Sequence, residues 1–222
     1  MDESESNMHR QIFIALAGSL FSLTFNTPCH AQTPPPFSPE IRLLLHGTKI
    51  FVPSSEDGKP GVGVSLWVIE PNLLDPTPQA QATAGLRLER PDGWVEFLGG
   101  GVFSPTTTSP IVPVFDLRAF VAPARHLHLF SEVSVYGDAI YGFAQADVPI
   151  QRGEQIVAKV GIEIEAAKAW EGPGGFVAVG PDVIIPWSEF FATVVAVQVR
   201  GTHSPTGPAA DLVGRIYAVI DL

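Results

Sequence analysis

From residue 41 to the end, apolar and polar side chains alternate in runs separated by Gly, Pro, Asp and Ser clusters. The clearest is QIVAKVGIEIEA, residues 155–166. Ile156, Ala158, Val160, Ile162, Ile164 and Ala166 fall on one side, and Val157, Lys159, Gly161, Glu163 and Glu165 on the other. A period of two belongs to a β-strand, whose successive side chains point to opposite faces. The same reading predicts strands at 41–52, 61–70, 83–90, 93–103, 112–122, 126–136, 139–149, 155–167, 175–186, 190–201 and 210–222. RPDG, YGDA, QRGE and PWSE carry turn chemistry between them. PNLLDPTPQAQ, SPTTTSPIVP, AWEGPGG and THSPTGPA read as longer loops. No helical periodicity, internal repeat or domain boundary interrupts the series.

The faces stay clean. On 112–122, Phe115, Leu117, Ala119 and Val121 oppose Asp116 and Arg118; on 126–136, Leu127, Leu129, Ser131, Val133 and Val135 oppose His128, Phe130, Glu132, Ser134 and Tyr136. From 112 onward no charge falls on the apolar side of a strand as drawn. Two environments produce such a pattern. A soluble barrel or sandwich turns its apolar face to a core, whereas a membrane barrel turns it to lipid around a polar interior.

Three features favour the membrane. Most runs have 10–13 residues, near the ~9–11 that a tilted strand needs to cross a bilayer and roughly twice the usual strand length. The polar face carries Phe120, Phe130, Tyr136, Tyr141, Phe143, Phe176 and Tyr217 among its charges, which suits a filled narrow lumen better than bulk water. The chain also ends inside its last strand, RIYAVIDL, with Leu212, Gly214, Ile216, Ala218, Ile220 and Leu222 at alternate positions.

That ending and the architecture of 41–222 resemble bacterial outer-membrane β-barrel proteins. The resemblance implies an up-and-down antiparallel transmembrane barrel in the outer membrane of a Gram-negative bacterium. It implies two partners: outer-membrane lipid, and the barrel-assembly machinery, which reads the C-terminal strand, here 212–222. Single-chain bacterial barrels have even strand numbers, so ten or twelve strands are expected. Counted back from a periplasmic C-terminus, the connections alternate short and long as such barrels require, YGDA alone being too short.

Residues 1–31 read as a secretory signal. IFIALAGSLFSLTF, 12–25, is an apolar core too short to span a membrane, and cleavage falls after Ala31. MDESESN is acidic and unsuited to a signal; initiation at Met8 would remove it. Residues 32–40 form a Pro-rich leader, and 41–222 a single domain. Cleavage would remove Cys29, the one cysteine, and with it any disulfide. With 13 basic and 23 acidic residues, net charge −10, the chain lacks the clustered cations that nucleic acid requires.

Candidate chemistry is sparse. His126 and His128 share a strand face at a spacing seen in metal sites, but nothing supplies a third ligand, and no metal or other cofactor is expected. His128, Glu132 and Ser134 carry the residue types of a barrel lipid hydrolase. His and Ser lie six residues apart, about 20 Å along a strand, so no catalytic residue is assigned. LGGG (98–101) reads as thin wall or a bulge, and GPGG (172–175) as a hairpin loop. The substantial set is ionic: Asp116, Arg118, Glu132, Asp147, Lys159, Glu163, Glu165, Asp182, Arg200 and Arg215, joined by His128 as lumen-lining candidates. The QRGE turn places Asp147 diagonal to Lys159 with Gln145 opposite that lysine, and a symmetric THSPTGPA closure makes Arg200 face Asp211. The expected role is structural or that of a small passive pore for an unidentified solute. A soluble periplasmic or secreted lipocalin-like barrel binding an apolar ligand is the alternative, and a lipid hydrolase comes third.

Overall fold

The computed structural model describes residues 37–55, 58–77, 79–104, 111–172, 174–204 and 207–222. The signal segment, Met8 and residues 32–36 of the leader lie outside these. Eleven strands follow in chain order: β1 (Phe37–Val52), β2 (Gly61–Glu70), β3 (Ala80–Arg90), β4 (Gly93–Phe103), β5 (Ile111–Ala124), β6 (Leu127–Tyr136), β7 (Ala139–Arg152), β8 (Gln155–Ala169), β9 (Gly175–Pro186), β10 (Phe191–Ser204) and β11 (Gly207–Asp221). Each pairs with its sequence neighbour, and β1 pairs with β11 to close a barrel.

The strand count differs from the expected ten or twelve. An even number is needed only if every pair is antiparallel. Here β1 and β11 run parallel, from Phe37 beside Leu212 to His46 beside Asp221, and an odd barrel closes. Parallel pairing is slightly weaker per residue, and this seam is reinforced on both faces. Outside, the Phe37 ring lies over Gly214, where a Cβ would collide with it. Inside, Glu40 accepts hydrogen bonds from Arg200 and Arg215, the latter at 2.9 Å. The Leu222 amide extends the seam to the His46 carbonyl at 2.7 Å. Strand β1 begins four residues earlier than the alternation suggested, so Phe37–Glu40 belongs to the wall and not to a leader.

Following paired residues from Val52 through Val62, Leu88, Val95, Ala119, Ser131, Ala144, Ile164, Val179, Val199 and Leu212 returns to β1 at Phe37. One circuit therefore climbs the whole length of β1. With ~3.3 Å per residue and ~4.8 Å between strands, that climb tilts the strands by roughly 40–45° and sets a radius of roughly 11 Å.

Because strand number is odd, β1 starts at one mouth and β11 ends at the other. At the C-terminal mouth the reversals after β3, β5 and β7 are two residues each, at 91–92, 125–126 and 153–154. Gly153 takes φ 66° there, a conformation glycine adopts without steric cost. The N-terminal mouth carries the connection 71–79 and the 170–174 region together with the two-residue reversal 137–138, while the C-terminal mouth also carries the eight-residue connection between β1 and β2. THSPTGPA is not a long loop: pairing continues to Ser204 beside Gly207, which extends both strands. The Gly99–Gly101 run pairs in register with β3 and β5 and holds no bulge. Register shifts occur instead at Ile50/Val52, Val121/Ala124 and Ile150/Gln151.

Burial is inverted relative to an ordinary core. The largest fully buried side chains include Arg118, Arg215, Gln198, Glu96, Glu163 and Glu165. On the outer face Phe115 is 70% exposed, Val199 56%, Phe97 53% and Ile162 48%. Charges that share the outer side, such as Lys49, Arg90 and Lys168, lie close to strand ends.

Candidate functional site: the barrel lumen

Alternation places all eleven lumen candidates on the inward face, and tilt brings residues of non-adjacent strands together across the interior. The largest group surrounds the seam. Arg42 Nη2 donates to Glu165 Oε1 at 2.9 Å and to Glu40 Oε2 at 3.2 Å. Arg215 pairs with Glu165 and reaches Glu163 at 3.4 Å. The Tyr217 hydroxyl donates to Glu163 at 3.0 Å while accepting from Arg215 at 2.8 Å. Gln198 Nε2 donates to Glu163 at 2.7 Å. With Arg200, which donates to Glu40, three arginines face three glutamates in a region of low exposure, where an unpaired charge costs ~3–5 kcal/mol.

On the opposite wall Arg118 donates to Asp116 Oδ2 at 2.6 Å and to Glu132 Oε1 at 3.2 Å. Ser134 Oγ lies 2.8 Å from Asp116 and 2.9 Å from Glu132, and its single proton serves one of them at a time. The hydroxyl is thus occupied by carboxylates, and His128, at the far end of β6, is not among its hydrogen-bond partners. His126 sits exposed in the reversal before β6 and not on the strand face with His128. Among the described residues no group of three His, Cys, Asp or Glu is arranged to hold a metal ion.

A third cluster centres on Glu96, which is fully buried. It accepts from Ser65 Oγ at 2.5 Å, Arg87 Nη1 at 2.7 Å and Trp67 Nε1 at 2.8 Å. His46 stacks on Trp67 at 4.0 Å, and the Arg118 guanidinium lies over the Trp67 ring at 4.4 Å. From Trp67 a chain of ring contacts runs by way of His46 to Trp94, Phe120, Phe130 and Phe143. It lines the lumen from β1 to β7.

The fourth group lies on β7–β9. Asp147 and Asp182 flank Gly161 in one row, Lys159 stands diagonal to Asp147, and Gln145 donates to Asp182 at 2.7 Å. Arg200 faces Asp211 as the turn symmetry required. Gln145, however, stands opposite Glu163, and Pro149 opposite Lys159. The two-residue reversal and the register shift at Ile150/Gln151 move the pairing relative to the turn assumed.

Several members were not visible in advance. Glu40, Arg42 and His46 lie at even positions on β1, Arg87 and Glu89 on β3, and Trp67 and Glu96 on β2 and β4. Alternation marks them too, but a strand begun at residue 41 leaves out Glu40, and Lys49, Glu70 and Arg90 put charge on both faces of the early strands.

Beside the ring contacts a cavity of about 760 Å³ opens at the N-terminal mouth. Glu70, Asn72, Asp75 and Asp138 line its entrance, and Glu40, Arg42, Glu165, Lys159 and Gln145 its middle. It continues along the β8–β11 wall to Ile184, Ala192 and Val219, close to the opposite strand ends. At the entrance Asp75 Oδ1 accepts from the Thr77 amide at 2.8 Å and the Thr77 hydroxyl at 2.6 Å. Those bonds hold its carboxyl below the usual range.

No family model, curated protein or solved structure matches the chain.

Proposed function

We propose that residues 37–222 form a membrane-spanning barrel of a bacterial outer membrane, with a hydrated, ion-paired interior that leaves a narrow passage along the β8–β11 wall. One observation carries this reading: arginines, glutamates and aspartates are buried inside while half-exposed Val, Ile and Phe cover the outside. In water that outer belt would leave an apolar area far beyond the few hundred Å² that soluble monomers expose. In lipid it is the expected surface, and closure of the sheet into a barrel leaves no edge of unsatisfied backbone groups. The strand tilt also supports it.

A lipocalin-like soluble barrel would need its apolar side chains around the cavity. Here the middle of the cavity is lined by ion pairs, which speaks for passage or for a structural plug over storage of an apolar ligand. The Ser134 hydroxyl, the nucleophile of the hydrolase alternative, is held by Asp116 and Glu132 and not by a base, which speaks against that alternative. The assembly machinery remains the proposed reader of the final strand, whose alternate apolar positions from Leu212 to Ile220 face outward.

The test is migration on SDS gels with and without boiling, performed on isolated outer membranes. A heat-dependent shift in that fraction is the expected result. Recovery of the folded chain from the soluble periplasm, without detergent, would overturn the reading.

A further inference from the structure

We infer that the lumen cavity accepts a small organic cation, an amine or quaternary ammonium attached to an apolar body. The inference deepens the passage reading and rests on the lumen being its hydrated side.

The charges of the cavity are unevenly neutralised. Six acidic and four basic side chains line it. Deep in the lumen the arginines are already engaged: Arg42 with Glu40 and Glu165, Arg118 with Asp116 and Glu132, Arg200 with Glu40. An anion entering there would find each lining guanidinium already paired and only Lys159, diagonal to Asp147, as a lining cation outside an ion pair, against an excess of carboxylate. At the entrance the situation is opposite. Glu70, Asp75 and Asp138 have no ion pair with any described basic group, so the mouth presents uncompensated negative charge. Focusing of that field by low-dielectric walls raises the local concentration of cations.

Two further features separate an organic cation from a bare metal ion. Past the entrance the lining offers aromatic faces, among them Tyr136, Tyr141, Phe130 and Phe176. A weakly hydrated ammonium is attracted to such faces, most strongly where water is thin. At the far end the lining becomes Ile184, Ala192, Val194 and Val219. These side chains give an inorganic ion nothing in place of its hydration shell, whereas an apolar substituent is favoured against them. A volume of about 760 Å³ is in the range of sites for drug-sized ligands.

The experiment is calorimetric titration of the refolded full chain in nonionic micelles at low ionic strength. The probes are benzyltrimethylammonium, the anionic analogue benzenesulfonate and neutral benzyl alcohol. Saturable binding of the cation is expected, at least about tenfold tighter than either analogue. The double variant Asp75→Asn/Asp138→Asn should weaken cation binding about three- to tenfold, an effect that shrinks with added salt. Glu171→Gln, at the same mouth but outside the cavity lining, should leave it unchanged. Equal affinity for cation and sulfonate, heat no greater than that of empty micelles, or indifference to the double variant would overturn the inference. A gel shift on boiling, run on the same sample, keeps the outcomes distinct. A shifting barrel that ignores the cation sinks this inference alone, whereas a chain that stays folded without detergent sinks the membrane reading.

Discussion

Val197→Lys distinguishes lipid from water on the outer face. Val197 lies at the middle of β10, is 44% exposed, and its inward neighbour Gln198 is fully buried. At a tilt of roughly 40–45° the fourteen residues of β10 rise roughly 35 Å along the barrel axis. Position 197 therefore sits within a few Å of the belt's mid-height. A lysine at the bilayer midplane costs about 2–4 kcal/mol in a membrane barrel, and about 0–1 kcal/mol near the interface. The natural Lys49, near the end of β1, gives the comparison, and Lys49→Leu should change stability by no more than about 1 kcal/mol. On a water-exposed strand the Val197 substitution would stay within about 0.5 kcal/mol. The assay is reversible urea unfolding in phospholipid vesicles, with the gel shift as a second probe. A loss of about 2–4 kcal/mol for Val197→Lys beside a small effect for Lys49→Leu is the expected pair. A neutral Val197→Lys, or one that raises detergent-free yield, would refute the reasoning.

Arg215→Met should destabilise the barrel by about 3–5 kcal/mol in the same unfolding assay, because it leaves Glu40, Glu163 and Glu165 with less compensating charge inside the seam. Gly180→Val should cost about 1–3 kcal/mol, since a Cβ at this inward glycine would strike the Val197 carbonyl and the Gln198 backbone of β10. Asp75 should titrate below ordinary aspartates by carbon-detected NMR, and Thr77→Ala should return it toward them. A folded value below the unfolded one means that its contribution is present above the ordinary carboxyl range and lost as pH falls through the lowered value. In planar bilayers, small conductance with preference for cations is expected; a large, non-selective conductance would show that the ion pairs leave a wider opening than the cavity described.

The alternation along the chain determined a good deal by itself. All eleven strands were legible, several to the residue, because a period of two sustained over ten or more positions fits a β-strand and no helix. The two faces were legible for the same reason: Lys159, Glu163 and Glu165 fall inward together once any one of them does. Arg200 could be placed opposite Asp211 because a hairpin turn transmits register locally. What alternation cannot carry is how the first and last strands meet. Closure of the sheet depends on the combined tilt and stagger of the whole wall, which allowed β1 to lie parallel to β11 and made eleven strands workable. The same long-range geometry assembled Glu40, Arg42, Glu163, Glu165 and Arg215, drawn from three strands far apart in sequence, into one ion-paired cluster. It also set the rings of Trp67, Trp94, Phe120, Phe130 and Phe143 in one chain along the lumen, and Trp67, Phe130 and Phe143 line the cavity. Side-chain parity is a property of the strand, and so it is written locally; which inward residues touch is a property of the closed barrel, and only the tertiary structure decides it.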